Sequence, residues 1–370
     1  MTVRVLMVSK ACLVGAYQKK LEELACLPDV ELTVAVPPYW RDERGRIELE
    51  RQHTAGYELV VEPMALNGRF HLHFYPRLGR RMAQLRPDLV HIDEEPYNLA
   101  TAHALWLARR AGARSLFFSW QNIQRRYPLP FRLLERYVLR GVDYGLVGNQ
   151  EAAQVWRAKG YRGPVAVIPQ FGVDPDIFCP AARPAAAGRG FVVGYVGRLV
   201  EEKGVDLLLE ALAGLEGTWR AYVQGSGPAG EALRAQARRL GLGDRVTFED
   251  WIPSDQMPAY YRQLDAVVLP SRTRPNWKEQ FGRVLVEAMA CGVPVVGSDS
   301  GEIPHVVADA GLIFPEDRAG RLREHLSRLM RDAALRADLA RRGRKRVLAH
   351  YTQARVARET YDVYTQILSS

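Results

Sequence analysis

The sequence predicts an α/β chain of two similar halves, and three observations carry the prediction. Apolar runs of strand length alternate with stretches of helical period: 3–9, 31–36, 57–61, 88–92 and 115–119 in the first half, then 191–199, 220–224, 245–248 and 265–270 in the second. Between the halves the composition shifts, as proline, alanine and glycine crowd residues 175–190. The length of 370 residues exceeds what one ordinary core serves. The expected domains are therefore residues 1–173, a linker at 174–190, and residues 191–350. Residues 351–370 follow as an amphipathic helix with Val356, Tyr361, Tyr364 and Leu368 on its apolar side.

With 47% hydrophobic and 25% charged residues, the composition is that of a soluble globular protein and argues against disorder. The net charge of +9 suits a phosphorylated or polyanionic partner, or the face of an anionic membrane. Charge alone also admits a nucleic-acid-binding protein, although the basic residues spell no recognised nucleic-acid module. Four cysteines, Cys12, Cys26, Cys179 and Cys291, form no CxxC pair, which argues against a zinc site and a disulfide framework and fits a reducing cytoplasm. Strand-forming sequence begins directly after Met1 and no apolar run approaches about 18 residues, so neither a signal peptide nor a membrane span is expected.

The first half opens in a Rossmann-like way, with strand 3–9, a turn containing Gly15 and a helix through Leu21 and Leu24. The turn does not spell GxGxxG, so it is no dinucleotide fingerprint, and Gly15 serves either the turn or a ligand. Strand 88–92 runs into His91-Ile92-Asp93-Glu94-Glu95, a polar cluster at the carboxyl end of an expected parallel strand, where open α/β sheets bind ligands. His91, Asp93 and Glu94 are general-base candidates there, and the alternative is that Asp93 or Glu94 caps the helix over 97–110. Residues 125–140 combine an apolar helical face with arginines. That pattern is either a domain helix with a solvated face or a surface for anionic lipid headgroups. A second basic stretch, 69–86, carries Phe70, Phe74 and Tyr75 among its arginines and adds to a positive flank.

In the second half, Gly197, Arg198, Lys203 and Gly204 surround a strand-to-helix turn. Two cations at such a turn suit a diphosphate, although each alone reads rather as a surface residue. The run from Trp277 to Val296 is a helix feeding a strand. Val284, Leu285, Ala288 and Met289 form its apolar face, and Gly292 is placed to stop the helix. Glu279 and Glu287 lie eight positions apart, which at about 100° per residue puts them on one side of a helix or of the turn feeding it. Phe281 and Gly282 stand at the helix start, where backbone N–H groups and the dipole favour a phosphate.

The string from Glu279 through Phe281-Gly282 and Glu287-Ala288-Met289-Ala290-Cys291-Gly292 to Pro294-Val295-Val296 resembles the signature of the retaining glycosyltransferases of family 4, of GT-B architecture. Gly197-Arg198-Leu199 followed by Lys203-Gly204 resembles a second signature of that family. The resemblance implies two Rossmann-like domains facing across a cleft, with the terminal helix crossing back to the first. It implies transfer of a hexose from a UDP- or GDP-sugar to a hydroxyl of a glycan or lipid-linked glycan, in cell-surface polysaccharide or glycolipid synthesis, with neither a cofactor nor a metal. Sugar-nucleotide epimerases and phosphorylases share the architecture and are the rival classes. Under the resemblance Arg198 and Lys203 bind the diphosphate and Glu279 the transferred sugar. Glu287 holds the ribose, and Ile252 borders the base. Gly15, Gly197, Phe281, Gly282, Arg283 and Val284 line the donor, while His91, Asp93 and Glu94 lie on the acceptor side. Family members often place a histidine near Trp120, and this sequence has none there.

Overall fold

The structure, a computed structural model, describes residues 2–42, 45–181 and 190–369. Its backbone contacts divide the chain into two compact units, Met1–Gly172 with Gln353–Ser370, and Val173–Thr352. Of the expected linker, residues 182–189 lie outside the described residues, whereas 174–181 are built into the second unit. Phe178 joins that unit's core, and the Arg344 guanidinium donates to the carbonyls of Pro175 and Phe178.

The first unit comprises β1 (Val3–Val8), α1 (Gly15–Ala25), β2 (Val30–Val36), the hairpin β3 (Tyr39–Asp42) and β4 (Gly45–Glu48), and β5 (Glu58–Val61). It continues through α2 (Leu78–Leu85), β6 (Leu89–Ile92), α3 (Leu99–Ala111), β7 (Arg114–Ser119), α4 (Leu129–Gly141), β8 (Tyr144–Val147), α5 (Gln150–Ala158) and β9 (Val165–Val167). Seven parallel strands form its main sheet in the order β5-β2-β1-β6-β7-β8-β9. The central strands are apolar on both faces because helices cover both, and alternate side chains part accordingly. In β1, Leu6 and Val8 enter one core while Val5 and Met7 enter the other. The hairpin β3–β4 pairs outside this sheet. Its polar, half-exposed sequence shows no clean two-residue period, so periodicity alone does not reveal it.

The second unit comprises β10 (Phe191–Val196), α6 (Val205–Ala213), β11 (Trp219–Gln224), α7 (Gly230–Arg239), β12 (Val246–Glu249), α8 (Met257–Tyr261), β13 (Ala266–Leu269) and α9 (Arg283–Ala290). Then come β14 (Val295–Ser298), α10 (Ile303–Val307), β15 (Leu312–Phe314), α11 (Ala319–Arg331) and α12 (Ala333–His350). Its six-stranded parallel sheet runs β12-β11-β10-β13-β14-β15. The sheet ends on β15, which pairs with β14 from Leu312 to Phe314. The charged stretch 318–347 falls in two helices, α11 and α12. Asp332 breaks it by turning extended and accepting the N–H of Leu335 as an N-cap.

The last helix, α13 (Gln353–Ser369), belongs to the first unit and packs against α1. Val356, Val363, Tyr364 and Ile367 are buried there with Leu21 and Leu24. The buried stripe is rotated from the expected one: Val363 and Ile367 take the places that the sequence reading gave to Tyr361 and Leu368, both of which stay partly exposed. Among the described residues no helix is long and apolar enough to cross a membrane.

Candidate functional site

Both sheets share one topology. Counted within the second unit, its strands run third, second, first, fourth, fifth and sixth, so the winding reverses between β10 and β13. Helices leave in opposite directions at that point, which opens a crevice at the carboxyl ends of the two strands. The residues that follow them are Gly197 and Arg198 after β10, and Pro270 and Ser271 after β13.

Local backbone geometry brings the expected cations here. After Arg198 the chain makes a short turn over Glu201–Lys203 and enters α6 through Gly204, whose φ is 66°. A Cβ at Gly204 would lie 2.0 Å from the carbonyl oxygen of Pro270, so only glycine lets this turn press against the end of β13. That contact carries Lys203 to Glu279. Lys203 Nζ donates to Glu279 Oε2 at 2.6 Å, and Ser271 Oγ donates to the same oxygen at 2.8 Å. Lys203 Nζ also stands 4.9 Å from the centre of the Trp277 ring. Arg198 differs: its side chain is exposed and makes no ion pair or side-chain hydrogen bond among the described residues, while its carbonyl accepts the Tyr195 hydroxyl at 2.8 Å.

The helix mouth forms one edge of the same crevice. Gly282 precedes α9 with φ 74° and, as the N-cap residue, has no side chain with which to cap it. Its first turn, with Arg283 and Val284, therefore offers the partial positive charge of the helix terminus to an anion. Phe281 is half-buried, its ring edge-on to Tyr351 at 5.7 Å. Of the two settings expected for the acids the structure has the second, because α9 begins at Arg283 and Glu279 lies in the segment that feeds it. The acids flank the mouth from separate holdings. Glu279 is fixed through its carbonyl, which accepts the Glu302 N–H at 3.1 Å. Glu287 is buried, accepting Tyr261 Oη at 2.8 Å and Arg283 Nε at 2.7 Å. Burial, reinforced by Glu287, holds the Tyr261 hydroxyl well above its ordinary pKa, so it stays a donor. Ile252 follows β12 half-buried, beside an exposed Trp251. Sequence reasoning missed Ser271, Trp277 and Tyr261 as partners, although Ser271 ends an apolar strand run and could have been flagged there.

In the first unit the equivalent reversal lies between β1 and β6. It gathers the acidic cluster, but in a closed network. Asp93 accepts Ser9 Oγ at 2.5 Å and Gln170 Nε2 at 2.8 Å, and its pKa is raised by burial. Glu94 pairs with Lys10, accepts Asn98 Nδ2 at 3.3 Å and meets His73 Nε2 at 3.4 Å. Burial works against its charge, but Lys10 and His73 outweigh it and hold the carboxyl at about 2. Glu95, which the sequence reading did not single out, accepts Ser119 Oγ at 2.5 Å and the Trp120 N–H at 2.9 Å. Burial pushes its carboxyl up to about 7.

Two expectations are corrected here. His91 does not face the strand end. It shares the parity of Leu89 in β6 and so points into the core, where Nδ1 meets Tyr364 Oη at 2.7 Å and burial lowers its pKa well below the ordinary value. Neither Asp93 nor Glu94 caps α3, which begins after Asn98 without a side-chain cap. Gly15 stands at the start of α1, where its N–H is already taken by Glu50 Oε2 at 2.7 Å and a Cβ would strike the Gln52 side chain. Among the described residues no group of His, Cys, Asp and Glu is placed to hold a metal ion.

Two doubly wound parallel sheets of this order place the chain in a fold class whose solved members include two close likenesses. Sucrose-phosphate synthase from Thermosynechococcus elongatus superposes with a TM-score of 0.75 at 22% identity, over 99% of each chain. HepE from Anabaena, solved with UDP, gives 0.73 at 19% identity over 99% of this chain and 100% of that one. Residues 182–346 match the model for glycosyl transferases group 1, and residues 29–177 that for glycosyltransferase family 4. A GDP-mannose-dependent alpha-(1-6)-phosphatidylinositol monomannoside mannosyltransferase of Mycolicibacterium smegmatis is 34% identical over 300 residues, 75% of each chain. A D-inositol 3-phosphate glycosyltransferase of Salinispora tropica is 33% identical over 224 residues, which is 54% of this chain and 45% of that one. This chain thus matches less than half of that relative's length. The chain belongs to the group 1, family 4 glycosyltransferases, with the GT-B fold.

Proposed function

We propose that the chain transfers a hexose-type sugar from a UDP- or GDP-sugar to a hydroxyl acceptor with retention at the anomeric carbon, the donor diphosphate being held at the reversal point of the second unit. The observation that carries this reading is that an exposed Arg198 follows β10 while the mouth of α9, led by Gly282, stands against the end of β13. Both are positive where an open α/β sheet takes its ligand. In this reading Lys203 shares its charge with Glu279, so Arg198 supplies the larger net field at the departing diphosphate, where most of the new charge develops. These cations do the work a divalent ion does in other transferases.

In this reading Glu279, which accepts from Lys203 and Ser271, also meets hydroxyls of the transferred sugar. Glu287 takes the ribose hydroxyls in the same manner, with Tyr261 and Arg283 fixing its plane. Gly197, Phe281, Gly282, Arg283 and Val284 border the donor, and Ile252 the base. The anomeric carbon–oxygen bond to the diphosphate breaks, and the acceptor oxygen bonds on the same face. Its proton passes to the departing phosphate oxygen. Acceptor recognition falls to the first unit, where Asp93, Glu94 and Glu95 close the strand ends. A glycan or lipid-linked acceptor is proposed, with synthesis of cell-surface polysaccharide or glycolipid as the setting and the cytoplasmic membrane face as the place.

The test is incubation of the full chain with UDP-, GDP- and ADP-sugars, with and without alcohol acceptors. A sugar–acceptor product, formed only when acceptor is present, is expected. Conversion of the nucleotide sugar at the same rate without acceptor would identify an epimerase instead.

A further inference from the structure

Two of the four cysteines, far apart in the sequence, are brought side by side in the second unit. Cys179 lies in the strap 174–181 and Cys291 closes the end of α9. The strap runs along that end of the helix and is held on either side of the pair. Arg344 Nη1 donates to the carbonyls of Phe178 and Ala290, the residues just before each cysteine, at 2.5 and 2.8 Å. Just after the cysteines the two segments touch, since a Cβ on Gly292 would lie 3.3 Å from Pro180 Cγ. Segments 178–180 and 290–292 are thus matched residue for residue, with a thiol at the middle position of each.

One guanidinium reaches both sulfurs. Arg262 donates to Cys179 Sγ at 3.2 Å and to the carbonyls of Ile177 and Cys179 at 3.0 and 2.8 Å, which fixes this sulfur together with its strap. Burial pushes the Cys291 thiol up to about 12, Arg262 works against that rise, and the Cys179 sulfur adds to it, so each thiol lies within electrostatic range of the other. Access to the two is unequal. Cys291 is 4% exposed, whereas Cys179 is half-buried, so a dissolved oxidant meets Cys179 first.

We infer that Cys179 and Cys291 form a redox-modification site, in which a peroxide oxidises Cys179 and Cys291 resolves the product into a disulfide. The Cys179 sulfur attacks one peroxide oxygen: an S–O bond forms, the O–O bond breaks, and the departing oxygen takes the thiol proton and leaves as water. Sulfur is oxidised by two electrons and the peroxide reduced by two. The Cys291 sulfur then attacks Cys179, the S–S bond forms, the S–O bond breaks, and the oxygen leaves with the Cys291 proton as a second water. A dithiol returns both residues to thiols, the state in which the structure holds them. Oxidation thereby staples the strap to the last turn of the helix that carries Glu287. The site goes beyond the donor reading and stands without it, since the chemistry needs no nucleotide and none of the residues assigned to the diphosphate takes part.

The test uses the full chain carrying Cys26→Ser, which removes the exposed thiol of the first unit. It is treated with hydrogen peroxide, digested without reductant and mapped by mass spectrometry. A linked pair of peptides holding residues 179 and 291 is expected. The oxidised chain should melt about 5 °C or more above the reduced one, and dithiothreitol should reverse the shift. Adding Cys179→Ser, a change at a half-buried position, should abolish both the link and the shift. Adding Cys291→Ala instead should leave Cys179 as a sulfenic acid that dimedone traps. Peptides that stay unlinked, or a Cys179 that stops at the trapped acid while Cys291 is present, overturn the inference. So does a linked chain that melts no higher than the reduced one, since the native fold would then not hold the two sulfurs together.

Discussion

The reversal points of the two sheets occupy the same place in the same strand order and are furnished in opposite ways. In the first unit, Ser9, Lys10, Gln170, His73 and Asn98 meet the acids Asp93 and Glu94, so that charge and hydrogen bonding are answered from within the unit. In the second, the backbone is drawn tight by Gly204 and Gly282, a helix mouth is led by glycine, and Arg198 is left exposed. A self-satisfied network costs little in the absence of ligand and gives little to a charged one. The exposed cation and the glycine-led helix mouth are what an anion would complete. One fold thus provides both a stable polar floor and a place where charge waits for a ligand.

The largest effect expected from breaking this contrast lies at Arg198. Arg198→Ala should lower kcat/KM by about 100- to 1,000-fold, the range for loss of one preorganised electrostatic group, as read by steady-state transfer kinetics. Lys203→Ala should also lower turnover heavily, though by less, because its charge is shared with Glu279. It should further reduce stability by about 1–3 kcal/mol, since Glu279 loses a charged partner while remaining buried. Replacement of Asp93 by Asn in the first unit should leave nucleotide affinity unchanged. Equal loss of nucleotide affinity at both reversal points would erase the distinction.

Next in size is a pH effect confined to the first unit. A carboxyl raised from 4.5 to about 7 binds its proton more tightly when folded. Glu95 therefore contributes stability below about pH 4.5 that is lost as pH rises through 7, up to about 3 kcal/mol. Glu94 acts with opposite sign: held at about 2, it contributes stability above pH 4.5 that is lost as pH falls toward that value. Urea unfolding across this range should show Glu95→Gln without the decline between pH 4.5 and 7, and an unchanged slope would refute the burial of its charge.

Smaller effects sharpen the account of the second unit. Gly282→Ala places a side chain at φ 74°, with its Cβ 3.1 Å from Leu269, and should cost about 1–2 kcal/mol of stability along with weaker nucleotide binding. Tyr261→Phe removes the hydroxyl that orients Glu287 and should cost about 1 kcal/mol by denaturant titration, with a modest rise in KM for donor.

Much of this architecture is legible in the sequence, because strands covered on both faces read as plain apolar runs. The turn at Arg198 to Gly204 and the run from Glu279 to Gly292 could be placed for the same reason. Each joins such a strand to a helix with a glycine at the joint. The partners of Glu279 and Glu287 were not legible, since Lys203, Ser271 and Tyr261 lie 76, 8 and 26 residues away and only the fold brings them in. His91 misled because its polar neighbours suggested a strand end, while its parity with Leu89 assigned it to the core. The hairpin at Tyr39–Asp42 and Gly45–Glu48 stayed hidden, as an edge ribbon needs no apolar face to announce it.

The central claim is that nucleoside diphosphate seats at the reversal point of the second unit. Hydrogen-exchange mass spectrometry of the full chain, with and without UDP or GDP, tests it most directly. Slowed exchange in peptides covering 197–204 and 281–287 is the predicted result, with 9–15 and 91–98 unaffected. Slowed exchange confined to those first-unit peptides, with the second-unit peptides unchanged, would contradict it.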